Sequence, residues 1–296
     1  MDQRFLDPSV LAGISSLDLL AKTVVDGFVA GLHRSPDFGF SQEFAEYRAY
    51  TPGDDLRHID WNLFARTERM YLKRYRGETN SQLTILLDAS NSMQYTSGPP
   101  SKMDYARFIA ASLFYLAIKN QRDAAGLIVF DDEVREYIRP STRVGQMSRL
   151  FAGLERAEPH ARTNFANPLR HFQNFLHRRG IAIIISDFYE NPETVVNTIA
   201  PLRFQGHEVV LFHILDPQEI RPLMKGSAIV VDLETDQKIE VVPDYVKTTY
   251  RAKVDAHIEE LRTRTLAAGM DYQLLVTDQP LDESLRRYLT LREAGN

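Results

Sequence analysis

The stretch LTILLDASNSM, residues 83–93, joins a short apolar run to Asp88 and then places Ser90 and Ser92 at alternate positions. A short apolar run that ends in polar turn residues is typical of a buried strand. Side chains at alternate positions of an extended chain face the same side, so these three are expected to point to one place. A nucleophile, a metal site and a solvated turn are the three explanations left open by this stretch alone.

The composition excludes several classes of protein. Of the 296 residues 44% are hydrophobic and 25% charged, a balance typical of a globular protein with its own core. The net charge of −5 disfavours general nucleic-acid binding, which needs a basic face. Because the chain has no cysteine, disulfides, thiolate catalysis and thiolate metal sites are excluded.

The first residues, MDQRFLDPSVLAGISS, lack the basic and then apolar layout of a signal peptide. No apolar run approaches the roughly 18 residues expected of a membrane span. These patterns predict a cytoplasmic protein without a membrane span.

Strand-like and helix-like segments alternate from residue 81 to residue 296. Beyond the strand at 84–87, apolar runs predict strands at 126–130, 134–139, 181–186, 208–214 and 272–277. Helical patterns separate most of these strands. The alternation predicts an α/β domain with a doubly wound, mostly parallel sheet.

The first 80 residues follow a different pattern. A helical pattern at about 16–33 precedes a polar, turn-rich stretch, and MYLKRYR at 70–76 alternates like a strand. We therefore predict two domains: an N-terminal helix-plus-strand extension at 1–80 and the α/β domain at 81–296.

Two further residues have the right placement to join Asp88, Ser90 and Ser92. In doubly wound sheets, ligands bind beyond the carboxyl ends of the strands. Asp187 directly follows the predicted strand 181–186, and Thr163 lies in a loop before a predicted helix. Carboxylate and hydroxyl oxygens suit Mg²⁺, with Mn²⁺ and Ca²⁺ as alternatives, rather than zinc. The five residues therefore form a candidate metal site.

This arrangement resembles the metal-ion-dependent adhesion site (MIDAS) of von Willebrand factor type A domains. The resemblance implies that Ser90 and Ser92 ligate the metal directly, and that Thr163, Asp88 and Asp187 contribute directly or through water. It also implies a Rossmann-like fold. The metal would take its last ligand from an acidic side chain of a partner protein.

The upstream segment carries a second resemblance, to the bacterial "domain of unknown function 58" family. Its Arg-x-Tyr, Pro-Gly-Asp-Asp and Arg-x-Ile-Asp-Trp pattern is found here as Arg48, Tyr50, 52–55, Arg57 and 59–61. The resemblance covers roughly residues 35 to 290. Many relatives carry membrane spans ahead of this region, and members commonly accompany MoxR-type AAA ATPases. It therefore implies a non-enzymatic module that is the partner or adaptor of such an ATPase, or that binds its client.

Two questions stay open at this level. The enzymatic alternative is a magnesium-dependent phosphoesterase of the haloacid dehalogenase type that uses Asp88 as nucleophile. That type needs a second Asp two residues later as general acid, and this position is Ser90 here. Asp54, Asp55 and Trp61 form a second candidate partner-binding set. The alternative for their segment is a structural role, in which it docks the extension on the α/β domain.

Overall fold

The computed structural model describes residues 7–32, 44–51, 59–67, 69–75, 82–159, 168, 172, 175–176, 178–223, 227–231, 238–241, 245 and 249–294. The chain groups into two compact units, one of Met1–Gly27 together with Ser81–Asn296 and one of Phe28–Asn80. The division into domains at 1–80 and 81–296 stays a prediction.

The helices of the described residues are α1 (Pro8–Leu11), α2 (Leu17–Leu32), α3 (Trp61–Thr67), α4 (Lys102–Tyr115), α5 (Gln146–Arg156), α6 (Pro192–Phe204), α7 (Pro217–Ile220), α8 (Arg251–Ala267) and α9 (Asp282–Ala294). The strands are β1 (Phe44–Ala49), β2 (Tyr71–Tyr75), β3 (Gln82–Asp88), β4 (Ala124–Phe130), β5 (Val134–Ser141), β6 (Ile181–Ser186), β7 (Glu208–Leu215), β8 (Ala228–Val231), β9 (Lys238–Val241) and β10 (Asp271–Val276). A short 3₁₀ helix covers Asn91–Gln94, and one π-helical turn, Leu116–Asn120, extends α4.

The larger unit contains a six-stranded sheet with the strand order β10-β7-β6-β3-β4-β5. Neighbouring strands run parallel except β5, which pairs antiparallel with β4. Every residue of β6 is buried, and so is every residue of β3 after its first, because both faces of the sheet are covered. The predicted doubly wound, mostly parallel α/β fold is confirmed.

The two faces of the sheet carry different helices. Leu86, Ile184 and Leu211 lie in one apolar cluster with residues of α6 and α8, such as Ile199 and Leu261. The alternate residues of the same strands face the other side. Helix α4, which is buried along most of its length, packs against α5 and α9.

The chain order places a switch point between β3 and β6. After β3 the chain builds β4 and β5 on one side, and then returns to build β6, β7 and β10 on the other. In folds of this kind the connections on the two sides diverge at such a point, and ligands bind beyond the carboxyl ends of the two strands. The residues that follow these two strands are therefore in the position where such folds bind ligands.

In the smaller unit, β1 and β2 form an antiparallel pair, and Ile59 bridges to Leu72 of β2. The predicted strand in MYLKRYR is β2. Asp60 accepts a hydrogen bond from the backbone N–H of Leu63 and so caps the start of α3. None of the helices in the described part of the chain combines the length and apolar composition that a bilayer crossing requires.

Candidate metal centre

Asp88 is the last residue of β3 and is completely buried. Its Oδ1 accepts a hydrogen bond from the backbone N–H of Ser90 at 2.9 Å. Its Oδ2 accepts one from the hydroxyl of Ser186 at 2.6 Å. Ser186 ends β6, next to Ile185, which is paired with Leu87 of β3. The parallel register therefore fixes the Asp88 carboxylate at the switch point.

Ser90 and Ser92 bring their hydroxyls together beside Asp88. Their Oγ atoms are 3.0 Å apart and share a hydrogen bond in which either hydroxyl could donate, and both side chains are buried. The short 3₁₀ helix at Asn91–Gln94 turns the chain so that both hydroxyls face the same way. An octahedral Mg²⁺ with ligand distances of roughly 2.1 Å holds neighbouring ligand oxygens about 3.0 Å apart. The separation of the two hydroxyls therefore fits two adjacent positions around such an ion.

The pKa of Asp88 is raised to about 7. Burial is the main cause, because a carboxylate loses its hydration in the protein interior. The charge of Asp187 adds to the shift, and the hydrogen bonds from Ser186 and Ser90 oppose it. Two carboxylates thus repel each other at this edge of the sheet, an arrangement that a bound cation relieves.

Asp187 directly follows β6 and is paired with Lys102. The Nζ of Lys102 lies 2.7 Å from Asp187 Oδ2 and 2.7 Å from Glu219 Oε1. The Lys102 side chain has no solvent exposure, and those of Asp187 and Glu219 are 2% and 11% exposed. The ammonium also lies over the ring of Tyr189, 4.8 Å from its centroid. One oxygen of a predicted metal ligand is therefore engaged by a buried cation of the chain itself.

The local sequence explains how Lys102 and Glu219 meet. Ser101 caps α4 by accepting from the backbone N–H of Asp104, which makes Lys102 the first residue of the helix. Glu219 belongs to a capping box at α7, in which its side chain accepts from the backbone N–H of Asp216. Both helix starts lie at the edge of the sheet where β6 and β7 end, so their side chains converge on Asp187.

The pKa of Lys102 is raised. Burial by itself lowers the pKa of an ammonium, but the charges of Asp187 and Glu219 outweigh it. Lys102 is therefore positively charged at neutral pH.

A buried histidine continues the row of polar side chains across the sheet. His213 of β7 pairs in register with Ser186. Its Nδ1 is 2.7 Å from the hydroxyl of Tyr272, and its ring meets Phe188 edge-on. Burial, with a smaller contribution from His257, lowers the pKa of His213 to about 3. His213 is therefore neutral at physiological pH.

The structure brings some of the sequence-predicted site residues together, while others lie outside the described residues. Asp88, Ser90 and Ser92 come together, and Asp187 lies at the same sheet edge. Thr163, Asp54 and Asp55 lie outside the described residues. Trp61 is 57% exposed, and its ring is perpendicular to that of Phe64 in a T-shaped contact. The metal-binding and partner-binding roles of these residues stay predictions.

The sequence reasoning missed Lys102, Ser186 and Glu219. The signal for Lys102 was a lysine at the start of a mostly apolar helix, and the signal for Glu219 was the capping pattern Asp-x-x-Glu. Within the described ranges, no group of three or more histidine, aspartate and glutamate side chains forms a metal site on its own.

The family model described as "Protein of unknown function DUF58" matches residues 46–264. The chain belongs to the DUF58 family. The resemblance to that family in the sequence is thereby confirmed, while a MIDAS in this DUF58 chain stays a prediction.

Uncharacterized proteins of Mycobacterium bovis and Mycobacterium tuberculosis are 26% identical to this DUF58 chain over 294 residues. The alignment covers 98% of this chain and 92% of each relative.

Among solved structures, the conserved hypothetical protein BatB from Bacteroides thetaiotaomicron is 15% identical and covers 73% of this chain and 100% of its own, with a TM-score of 0.49. The von Willebrand factor type A (VWA) domain of SpRpn10 is 10% identical and covers 70% of this chain and 94% of its own, with a TM-score of 0.43. At these identities and scores, no function is transferred from either protein.

Proposed function

We propose that this DUF58 chain is a non-enzymatic protein-interaction module that binds a partner through a divalent metal ion. Asp88, Ser90, Ser92, Thr163 and Asp187 would hold the ion, with Mg²⁺ as the first choice and Mn²⁺ or Ca²⁺ as alternatives. The observation that carries the proposal is the 3.0 Å separation of the Ser90 and Ser92 hydroxyls beside the buried carboxylate of Asp88. Both the oxygen chemistry and the spacing suit a hard, octahedral cation.

The residues of the chain have distinct parts in this function. Ser186 and the backbone of Ser90 fix the carboxylate of Asp88, so that its remaining lone pairs have one orientation. Ser90 and Ser92 present neutral ligands, which add no negative charge to that of the two aspartates. When bound, the ion would supply a coordination position for a carboxylate oxygen. The chain would thus recognise an acidic side chain of its partner.

A MoxR-type AAA ATPase, or a client of that ATPase, is the partner that we propose. The proposal rests on the family resemblance in the sequence, and the family membership supports it. Trp61, exposed in the smaller unit, is a second candidate contact for a partner because exposed aromatic side chains are enriched at interfaces.

The phosphoesterase alternative has less support. Ser90 stands where a general acid is needed, and a serine hydroxyl is too weak an acid to protonate a leaving group at neutral pH. The Asp187 carboxylate is paired with the Lys102 ammonium and so is not placed as a spare acid.

The test is capture of a purified MoxR-type ATPase from the same genome on immobilised protein, with Mg²⁺ or with a chelator. The Ser90→Ala/Ser92→Ala double variant removes both hydroxyls but keeps the carboxylates, and Ser227→Ala, at an exposed position, is the matched control. We expect capture by the wild type and the control in Mg²⁺, and loss of capture in the chelator or the double variant. Equal capture in all four cases would contradict a metal-dependent contact.

A further inference from the structure

Lys102 contacts one residue of the candidate metal centre and one residue outside it. Its ammonium donates to Asp187 Oδ2 and to Glu219 Oε1 at the same distance, 2.7 Å. Asp187 belongs to the candidate metal ligands, whereas Glu219 does not. The ammonium is therefore shared between a carboxylate of the metal site and a carboxylate outside it.

A divalent cation and the ammonium make competing demands on Asp187. Both are attracted to the same carboxylate, and two positive charges brought close together in a buried site repel each other strongly. The side chain of Lys102 is completely buried, so water does not screen that repulsion. A metal ion that draws on Asp187 thus weakens the contact of Lys102 with this residue.

Glu219 is a second partner for the ammonium, at the same distance as Asp187. Glu219 lies in the four-residue helix α7, and residues of this helix and its cap are also hydrogen-bonded to other segments of the chain. Asp216 accepts hydrogen bonds from the backbone and the hydroxyl of Ser97, and the backbone carbonyl of Glu219 accepts one from the hydroxyl of Tyr250. Lys102 can therefore give up Asp187 without becoming a buried charge that has no counter-ion.

We propose that Lys102 competes with the divalent cation for Asp187. When the metal binds, the ammonium gives up its contact with Asp187 and keeps its contact with Glu219. This inference rests on the proposed metal site and adds its regulation. The ammonium sets the metal affinity of the site, and it transmits occupancy to α7 and to the start of α8, where Tyr250 contacts Glu219.

The first test is the affinity for Mn²⁺, measured by calorimetric titration of the full-length protein. Lys102→Met removes the ammonium but keeps a side chain of four heavy atoms, and Lys119→Met removes the same charge at an exposed position. We expect Lys102→Met to bind Mn²⁺ about tenfold or more tightly than the wild type, because the competing charge is gone. Lys119→Met should bind like the wild type.

Release of the ammonium itself is followed by NMR of the Lys102 side-chain nitrogen in the wild type. On saturation with Mg²⁺ its signal should shift, and the Ser90→Ala/Ser92→Ala double variant should show no shift. Glu219→Gln, which weakens the second partner, should bind Mn²⁺ more weakly than the wild type and serves as the second variant if Lys102→Met does not fold.

Different outcomes separate the two proposals. Metal binding by the wild type with an unchanged Lys102 signal, or with an equal or lower affinity of Lys102→Met, would overturn the competitor role and leave the metal site intact. Absence of Mn²⁺ binding by the wild type and both lysine variants would overturn the metal site, and the competitor role with it.

Discussion

Two groups of three charged side chains in this molecule share one design but differ in their surroundings. In the buried triad, Lys102 lies between Asp187 and Glu219. In the exposed triad, Arg264 of α8 lies between Glu260 of its own helix at 2.8 Å and Glu193 of α6 at 3.8 Å. Each triad has one cation and two carboxylates, and each joins at least two elements of the larger unit.

The difference in burial decides what each triad can do. The side chains of the exposed triad are 42% to 63% accessible, so water and salt compete for every charge. The ammonium of Lys102 is not exposed to solvent, so its charge must be balanced by its carboxylate partners. The contacts of the buried triad should therefore change when another cation binds nearby, whereas the exposed triad consists of solvated surface ion pairs.

The largest expected effect is on stability in the absence of metal. Lys102→Met leaves the buried carboxylate of Asp187 and the largely covered carboxylate of Glu219 without their counter-ion, and should lower the free energy of unfolding by about 3–5 kcal/mol. Arg264→Met, the matched change in the exposed triad, should lower it by less than about 1 kcal/mol. Urea unfolding with a chelator present measures both. Similar losses in the two variants would show that burial does not separate the triads.

The next effect extends the comparison to a buried base. His213 has its pKa lowered to about 3, whereas an unfolded histidine titrates near 6.5. Below pH 6.5 the unfolded chain takes up a proton that the folded protein does not, so His213 lowers stability as the pH falls from 6.5 towards 3. Between pH 6.5 and 5 the wild type should lose about 2 kcal/mol more than His213→Gln.

The measurement is urea unfolding of the wild type and His213→Gln at several pH values. Asp88, whose raised pKa gives a pH dependence of the opposite sign, is present in both proteins, so the difference between them isolates His213. Parallel curves for the two proteins would contradict a neutral His213 in the folded state.

A smaller effect is expected at Ser97. Its contact with Asp216 is partly buried, so it is less buried than the Lys102 triad and more buried than the Arg264 triad. Its hydroxyl donates to the buried carboxylate of Asp216 at 2.6 Å, while the backbone N–H of Ser97 makes a second bond that a substitution retains. Ser97→Ala should lower the unfolding free energy by about 1 kcal/mol. Thermal unfolding beside the exposed-site control Ser227→Ala checks this; a variant as stable as the control would mean that the hydroxyl adds nothing.

The sequence alone was sufficient to predict the sheet and the proximity of Asp88, Ser90 and Ser92, whose metal-binding role stays a prediction. Apolar runs that end in Asp88 and in Asp187 predicted two strands, and parallel strands bring their carboxyl ends to one edge. The serine pair was readable because alternate positions share a direction. These features depend on local patterns, which a single sequence displays.

The contacts of Lys102 could not be predicted in the same way. Glu219 is 117 residues away in the chain, and the two meet only because the first residues of α4 and α7 converge at one edge of the sheet. Ser186 binds Asp88 for a similar reason, since its contact depends on the register between β3 and β6. Packing of distant elements, and not local pattern, thus decides which charges surround the candidate metal ligands.

The most direct test of the central claim is a calorimetric titration of chelator-treated protein with Mg²⁺, made with the wild type and with the Ser90→Ala/Ser92→Ala double variant. The account predicts saturable binding of one ion per chain by the wild type and none by the double variant, because the two hydroxyls supply adjacent ligands. No binding by the wild type, or equal binding by both proteins, would contradict a metal site at the switch point of this sheet.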